Sequence, residues 1–127
     1  MKIFLDSSFL IYLNTGNEKI TKLFEQILNE KLYTDVLVLN EVIYISKKKY
    51  NISYEETIEF LDELISSVIE VLPITLEDYL KARENILKYN LKPSNAIHLA
   101  VIENNGIQAI VTEDTDFYKV PIKVIWV

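Results

Sequence analysis

Cysteine is absent from this 127-residue chain, and glycine and proline are scarce, with two and three residues. Without thiols the chain forms no disulfide and has no thiolate metal site, a pattern that agrees with a reducing cytoplasm. So few glycines also exclude a glycine-rich phosphate loop of the dinucleotide-binding or P-loop type. The absences therefore exclude disulfide scaffolds and two large classes of nucleotide-binding site.

Signals for secretion and for membrane insertion are missing as well. The N-terminus lacks the charged, apolar and small-residue order of a signal peptide, and no apolar run approaches the ~18–20 residues of a membrane helix. Hydrophobic residues make up 50% of the chain and charged residues 25%, which is typical of globular proteins. We expect a soluble, cytoplasmic protein with a single domain over residues 1–127.

Positive charge is also in short supply, since the formal net charge is -6. A protein that binds nucleic acid by neutralising phosphates is normally basic. The acidic total argues against simple electrostatic binding, unless metal ions or a local basic stretch make the contact. The run Lys47-Lys48-Lys49 is such a stretch, although taken alone it is typical of a solvated helix end with a favourable macrodipole.

The pattern of apolar residues alternates between strands and helices. Segment 36–49 is apolar on nearly every side, which predicts a helix buried between other elements. Capping boxes are predicted at 15–18 and 53–56, and Gly106 suits the left-handed position after a helix that ends at Asn104. The predicted strands are 2–5, 32–34, 69–74, 107–111 and 122–127. This alternation predicts an α/β fold whose parallel sheet has helices on both faces.

Two of the predicted strands run directly into carboxylates. The first is followed by Asp6, and the strand over 107–111 is followed by Asp114 and Asp116. Carboxyl ends of parallel strands share one edge of the sheet, and clustered carboxylates repel unless they share a cation or a proton. Each acid alone also has a structural explanation, as a helix N-cap or an Asx-turn. Their joint placement predicts a divalent-metal site with hydrolytic chemistry.

Two further polar residues lie in apolar helices. An ionised Glu41 costs free energy in the apolar segment 36–45 unless it is paired or bound to a metal. The alternative is that Glu41 lies on a narrow exposed stripe with Asn40. Both interpretations stay open. His98, the only histidine, lies one helical turn after Asn95. It could be a general base, but a packed or hydrogen-bonded role is the favoured interpretation.

Four pieces of the chain, in this order and spacing, resemble the PIN-domain family of the VapC toxin type. They are residues 3–8, Glu41 in its apolar helix, residues 92–100 and residues 112–117. The resemblance covers essentially the whole length. It implies a Rossmann-like three-layer α/β/α fold with a central, mainly parallel sheet, a homodimer, a Mg²⁺ or Mn²⁺ cofactor and endoribonuclease activity on RNA. It also implies a small antitoxin partner that blocks the acidic cleft.

The same resemblance assigns roles to individual residues. It implies four metal-binding acids: Asp6, Glu41, Asp114 and Asp116. It implies three donors that orient waters or ligating carboxylates: Ser7, Ser8 and Thr112. The predicted catalytic group is Asp6, Glu41, Asn95 and Asp114.

Asn95 departs from the pattern, because similar sequences have an aspartate there. It is nearly isosteric with aspartate, but it is neutral and a weaker metal ligand. Asn95 therefore belongs to an active variant, marks a degenerate enzyme, or is an introduced substitution that silences a toxic nuclease. The sequence leaves these three explanations open.

Three other functions compete with a toxin nuclease. A catalytically silent module that binds RNA or protein would explain Asn95, and a free-standing RNA-processing nuclease would use the same acids. An α/β phosphatase or receiver domain is disfavoured. The segment 6–9 lacks a second aspartate two residues after Asp6, and no lysine follows a late strand in the expected position.

Overall fold

Five short strands form the central sheet of the protein, for which a computed structural model describes residues 1–127. The strands are β1 (Lys2–Leu5), β2 (Lys31–Asp35), β3 (Ile69–Leu72), β4 (Ala109–Val111) and β5 (Lys123–Ile125). Their order is β3-β2-β1-β4-β5, and every neighbouring pair is parallel. The predicted parallel sheet is confirmed, although β4 and β5 are shorter than expected and β3 ends before Pro73.

Helices connect the strands and cover both faces of the sheet. They are α1 (Ser7–Asn14), α2 (Glu18–Ile27), α3 (Val36–Tyr50), α4 (Tyr54–Ser67), α5 (Leu76–Tyr89) and α6 (Pro93–Asn104), with a 3-10 helix at Thr115–Lys119. The chain passes from β1 to β2 to β3 and then returns past β1 to β4. Because parallel crossovers are right-handed, the returning connection places α5 and α6 on the face opposite α1 to α4. The three-layer α/β/α architecture is confirmed.

The two central strands are buried on both faces. The side chains of Ile3, Phe4 and Leu5 are at most 1% exposed, and residues 109–111 are fully buried. Such continuous apolar strands are typical of parallel sheets with helices on both sides. Their packing fixes the positions of the residues that follow β1 and β4. None of the helices has the length and apolar character needed to cross a membrane.

Helix α3 differs from its predicted burial on all sides. Val36, Asn40 and Tyr44 form an exposed stripe, whereas Val38 and Val42 are fully buried. Residues four apart lie on the same side of a helix, and no other element covers that side of α3. The prediction of a helix buried all round was therefore wrong, because composition alone does not show which side is packed.

The predicted capping box at 15–18 is also wrong. Thr15 ends α1, and its hydroxyl donates to the carbonyl of Tyr12 at 2.7 Å. Gly16 follows in the left-handed region at φ +79°, which turns the chain before the next helix. Asn17 is the N-cap of α2 and accepts from the N–H of Ile20 at 3.1 Å. The glycine turn shifts the start of α2 by two residues.

Other predicted helix ends are confirmed. Ser53 caps α4 by accepting from the N–H of Glu56 at 3.1 Å, and Gly106 takes φ +64° after α6. A reciprocal capping box starts α5. Thr75 accepts from the N–H of Asp78, and the Asp78 carboxylate accepts from the N–H of Thr75 at 2.8 Å.

Replacing Thr75 with alanine removes one half of this capping box. We expect the free energy of unfolding, measured by urea denaturation, to fall by about 1 kcal/mol. Thr21→Ala is the matched control, since Thr21 is half-buried inside α2, where its hydroxyl donates only to the carbonyl of Asn17 and alanine is the better helix former. Equal losses in the two variants would contradict a capping role.

Candidate active site

The ends of β1 and β4 form the edge of the sheet where the acids meet. Leu5 pairs with Val111, and the N–H of Asp6 donates to the Val111 carbonyl at 3.1 Å. The connection after β1 leads to β2 on one side of this pair, and the connection after β4 leads to β5 on the other side. In open α/β sheets such a switch point is the place where ligands bind. Asp6 and Asp114 both lie there.

One buried hydroxyl joins these two acidic segments. Thr112 is 1% exposed, and its Oγ1 donates to Asp6 Oδ2 at 2.6 Å while it accepts from the N–H of Asp114 at 3.0 Å. The other carboxylate oxygen of Asp6 accepts from the N–H of Ser7 at 2.8 Å, so Asp6 also caps α1. Thr112 thus fixes Asp6 relative to the backbone that positions Asp114.

Burial dominates the electrostatics of Asp6, which is 4% exposed. Burial raises the pKa of Asp6, although the nearby His98 and the hydrogen bond from Thr112 lower it. A cation beside this carboxylate would favour its charged form. A bound cation would therefore stabilise the ionised form of Asp6.

Asn95 contacts the two acids of the segment after β4. Its Nδ2 donates to Asp114 Oδ2 at 3.0 Å and to Asp116 Oδ2 at 3.1 Å. Asp114 Oδ1 in turn accepts from the N–H of Asp116 at 2.9 Å. The amide of Asn95 therefore serves as a hydrogen-bond donor between two carboxylates.

Two lysines complete the surroundings of these acids. Lys119 Nζ lies 2.8 Å from Asp116 Oδ1, and the backbone N–H of Lys92 donates to Asp116 Oδ2 at 3.0 Å. Burial alone would raise the pKa of Asp116, but these contacts and Asn95 lower it to about 2. Burial likewise opposes a lowered pKa at Asp114, where the N–H of Asp116, Asn95 and Lys92 outweigh it. Both acids are ionised at neutral pH.

A buried ion-pair network lies on the other side of Asp6. His98 Nδ1 is 2.7 Å from Asp35 Oδ2, and His98 Nε2 is 3.1 Å from Glu41 Oε1 and 4.0 Å from Asp6 Oδ1. Because both partners are carboxylates, both ring nitrogens donate. Burial alone would lower the pKa of His98, but the bonds to Asp35 and Glu41 raise it to about 10. The hydrogen-bonded interpretation of His98 is confirmed, since carboxylates engage both of its ring nitrogens.

Asp35 is a site residue that the sequence motifs did not indicate. Asp35 is fully buried, caps α3 by accepting from the N–H of Val38 at 2.9 Å, and uses its second oxygen to bind His98. A signal was present, because β2 also ends on an aspartate at the same edge of the sheet. Because this aspartate directly precedes α3, its role as the N-cap of that helix was a sufficient explanation for it.

Glu41 and the two serines occupy the rim. The Glu41 side chain is 31% exposed and points to His98, away from the exposed stripe of Asn40. Ser7 Oγ lies 3.4 Å from Glu41 Oε2, whereas Ser8 Oγ accepts from the N–H of Glu113 at 3.1 Å. Ser7 therefore contacts a site carboxylate, and Ser8 holds the loop after β4.

The donor set fits a hard divalent cation. The region contains five carboxylates, namely Asp6, Asp35, Glu41, Asp114 and Asp116. Only three cationic side chains contact them, namely His98, Lys92 and Lys119, so the carboxylates are in excess by two. No three His, Asp or Glu side chains converge into a ready-made metal-binding group. Mg²⁺ usually keeps several waters and takes one or two carboxylates, so the residues fit an open site rather than a closed cage.

Comparison with known sequences identifies relatives over nearly the whole chain. Residues 3–123 match the model of the PIN domain. Ribonuclease VapC2 of Methanocaldococcus jannaschii is 31% identical, and the match covers 94% of this chain and 89% of that protein. Ribonuclease VapC13 of Mycobacterium tuberculosis is 32% identical, with 94% and 95% covered.

Solved structures share the fold. A toxin-antitoxin complex from Klebsiella pneumoniae contains a chain that superimposes with a TM-score of 0.77 at 20% identity, covering 97% of this chain and 95% of that one. VapC20 of Mycobacterium tuberculosis, a toxin that cleaves the sarcin-ricin loop, gives 0.73 at 20% identity, with 91% and 92% covered. At this identity the structures show a common fold alone.

The charge on His98 makes stability depend on pH. Its pKa of about 10 in the folded protein lies above the ordinary value of 6.5, so its stabilisation is complete below pH 6.5 and is lost as pH rises toward 10. We expect the free energy of unfolding, measured in urea with EDTA, to fall over that window. His98→Gln should be less stable at pH 6.5 and should vary less with pH. Parallel pH profiles for the two proteins would contradict an imidazolium.

Thr112→Val tests the bridge between Asp6 and Asp114. Valine keeps the shape but leaves one buried carboxylate oxygen and one N–H without a partner, which should cost about 1–3 kcal/mol in urea denaturation. Thr112→Ser keeps the hydroxyl and is the control for the bridge. A valine variant as stable as the serine variant would show that the bridge contributes nothing.

Proposed function

The chain belongs to the PIN-domain family, and we propose that it is a divalent-metal-dependent endoribonuclease, the toxin of a toxin-antitoxin pair. The observation that supports this most directly is the joint fixation of Asp6 and Asp114 by Thr112 at the switch point of the sheet. The residual negative charge around them favours a divalent ion. Relatives more than 30% identical over most of the chain are ribonucleases by name.

In this proposal Asp6 and Asp114 hold Mg²⁺ or Mn²⁺, with Glu41 and Asp116 assisting. Such an ion would supply an activated water and would offset negative charge on the phosphate oxygens. Its charge also makes the acidic edge able to accept a polyanion. The chain's own residues set the geometry: Thr112 orients Asp6, and His98 holds Glu41 at 3.1 Å.

Asn95 is compatible with activity, because it lowers repulsion within the site. Its amide donates to Asp114 and Asp116, which face each other across it. An aspartate in its place would bring a third carboxylate to about the same distance and would need a proton or a cation there. We propose that Asn95 positions Asp114 as a neutral donor in an active variant of the site.

A second candidate function is a catalytically silent module that binds RNA or protein. The observation that favours it is the state of Asp116, both of whose oxygens are already occupied by Lys119, Lys92 and Asn95. A metal ion would compete with these partners for the oxygens. Fewer acids would then remain for catalysis than the family pattern implies.

Partners follow from the same proposal. We propose a small antitoxin, since solved structures with this fold include toxin-antitoxin complexes. We also propose a homodimer, because Leu76, Tyr79, Leu80 and Leu87 on α5 are 40% to 87% exposed and leave a large apolar area for a second copy to cover. A cytoplasmic location suits an enzyme that acts on RNA. A free-standing RNA-processing nuclease would lack the antitoxin.

Cleavage of RNA with Mg²⁺ or Mn²⁺ tests the function. We expect the chain to cleave, and Asp6→Asn to lose roughly 100-fold or more of the rate, since several kcal/mol of charge stabilisation are removed. Asp62→Asn on α4 is the control, because Asp62 is exposed and takes part in none of the hydrogen bonds or ion pairs of the site. Circular dichroism checks that both variants are folded.

The same assay on Asn95→Asp separates the alternatives. Cleavage by both the unchanged chain and Asn95→Asp supports an active variant. Cleavage only after the substitution would identify an inactivated nuclease. Absence of cleavage in both would favour the binding module, and normal activity of Asp6→Asn would refute the assignment of Asp6.

A further inference from the structure

A cavity of about 200 Å³ opens directly beside the acidic site, between α1 and α3. Ser7 and Glu41, which contact each other in the site, form part of its lining. The remainder of the wall includes Tyr12 on α1 and Lys49 and Tyr50 at the end of α3. An RNA strand with one phosphate at the acids would therefore place the neighbouring nucleotide at this cavity.

We infer that this cavity binds the RNA nucleotide next to the cleaved bond, with its base against Tyr12 and Tyr50 and its phosphate near Lys49. The inference rests on the proposed ribonuclease function and specifies how its substrate is held. Nothing in the resemblance to known proteins assigns these three residues.

The aromatic residues provide the first argument. Sequence-tolerant binding of single-stranded RNA uses aromatic side chains on which bases stack. Tyr50 is 43% exposed, so its ring is accessible from the cavity mouth. The Tyr12 hydroxyl interacts with Glu113, which together with burial raises the pKa of Tyr12 to about 12 and holds its ring at the cavity wall. The volume suits one flat heterocycle, since pockets for drug-sized ligands are usually about 300–1,000 Å³.

Charge provides the second argument. Lys49 is the only cationic residue in the lining, and it belongs to the run Lys47-Lys48-Lys49 in the last turn of α3. In a chain with a net charge of -6, this run is a local positive feature beside the acids. Phosphates are the groups that such a feature attracts. Lys49 thus gains a role that a solvated helix end does not explain.

The mixed lining of the cavity, in which five polar residues accompany the hydrophobic ones, argues against an apolar side chain from a protein partner. Ser7, Ser8, Glu41, Lys49 and Glu113 line the cavity together with four hydrophobic residues. An apolar group would remove water from these charges without replacing its hydrogen bonds. A nucleotide has both a flat ring and hydrogen-bonding groups, so it can contact the hydrophobic and the polar residues of the lining.

Steady-state cleavage of a fluorescent single-stranded RNA oligonucleotide with Mn²⁺ tests the inference. We expect Tyr50→Ala to raise KM about 5- to 150-fold, the range of one lost base stack, with kcat largely kept. Tyr50→Phe should retain the KM of the unchanged chain, because it keeps the ring. Lys49→Gln should raise KM and weaken the dependence of KM on salt.

Matched controls come from the same helix. Tyr44 is 52% exposed and Lys48 is exposed, but neither lines the cavity. Tyr44→Ala and Lys48→Gln should leave KM nearly unchanged. Thermal unfolding of all five variants checks folding, and their exposed positions predict small changes. A photo-cross-link from a 4-thiouridine-substituted oligonucleotide to Tyr12 or Tyr50 would support the placement independently.

The outcomes separate this inference from the proposed function. Cleavage with an unchanged KM in Tyr50→Ala and Lys49→Gln would overturn the nucleotide site and leave the nuclease intact. The same result with lost binding of an antitoxin peptide would assign the cavity to a protein. If the chain does not cleave, fluorescence anisotropy of the same RNA replaces KM. Weaker binding by Tyr50→Ala would then support the site, and no RNA binding by the unchanged chain would overturn it.

Discussion

Parallel pairing of β1 with β4 is the constraint on which the rest of the structure depends. The chain reaches β4 only after passing through β2, β3 and six helices, and it then returns to the strand where it began. That return brings Asp6 beside the segment after β4. Thr112 converts the proximity into a fixed geometry, because one hydroxyl binds Asp6 and the backbone of Asp114. The apolar packing of both strands keeps this edge in place.

The main electrostatic problem of the fold is the collection of acids at one edge of the sheet. The protein offsets part of it internally. Its only histidine is buried between Asp35 and Glu41, and Lys119 and Asn95 satisfy Asp116. The compensation is incomplete, since the carboxylates still outnumber the cations that contact them. In the function that we propose, the remaining charge would stabilise a bound cation, and without that cation the edge would repel RNA.

Cleavage and substrate binding are divided between two neighbouring regions in the function that we propose. Acids at the strand ends would hold the metal, while the cavity between α1 and α3 would hold a nucleotide through rings and Lys49. This division explains how a chain of net charge -6 could act on a polyanion. Asn95 belongs to the first region, where it acts as a donor to two carboxylates instead of adding a third.

The sequence by itself determined the α/β class, the parallel sheet and the joint position of Asp6 and Asp114, because strand periodicity and residues at strand ends are local patterns. It did not determine the exposed stripe of α3 or the start of α2, which depend on which neighbours pack and how a glycine turns the chain. The link from Asp35 to His98 and the donor role of Asn95 are also tertiary. They join residues far apart in the chain, and only the distances between side chains decide which charges meet.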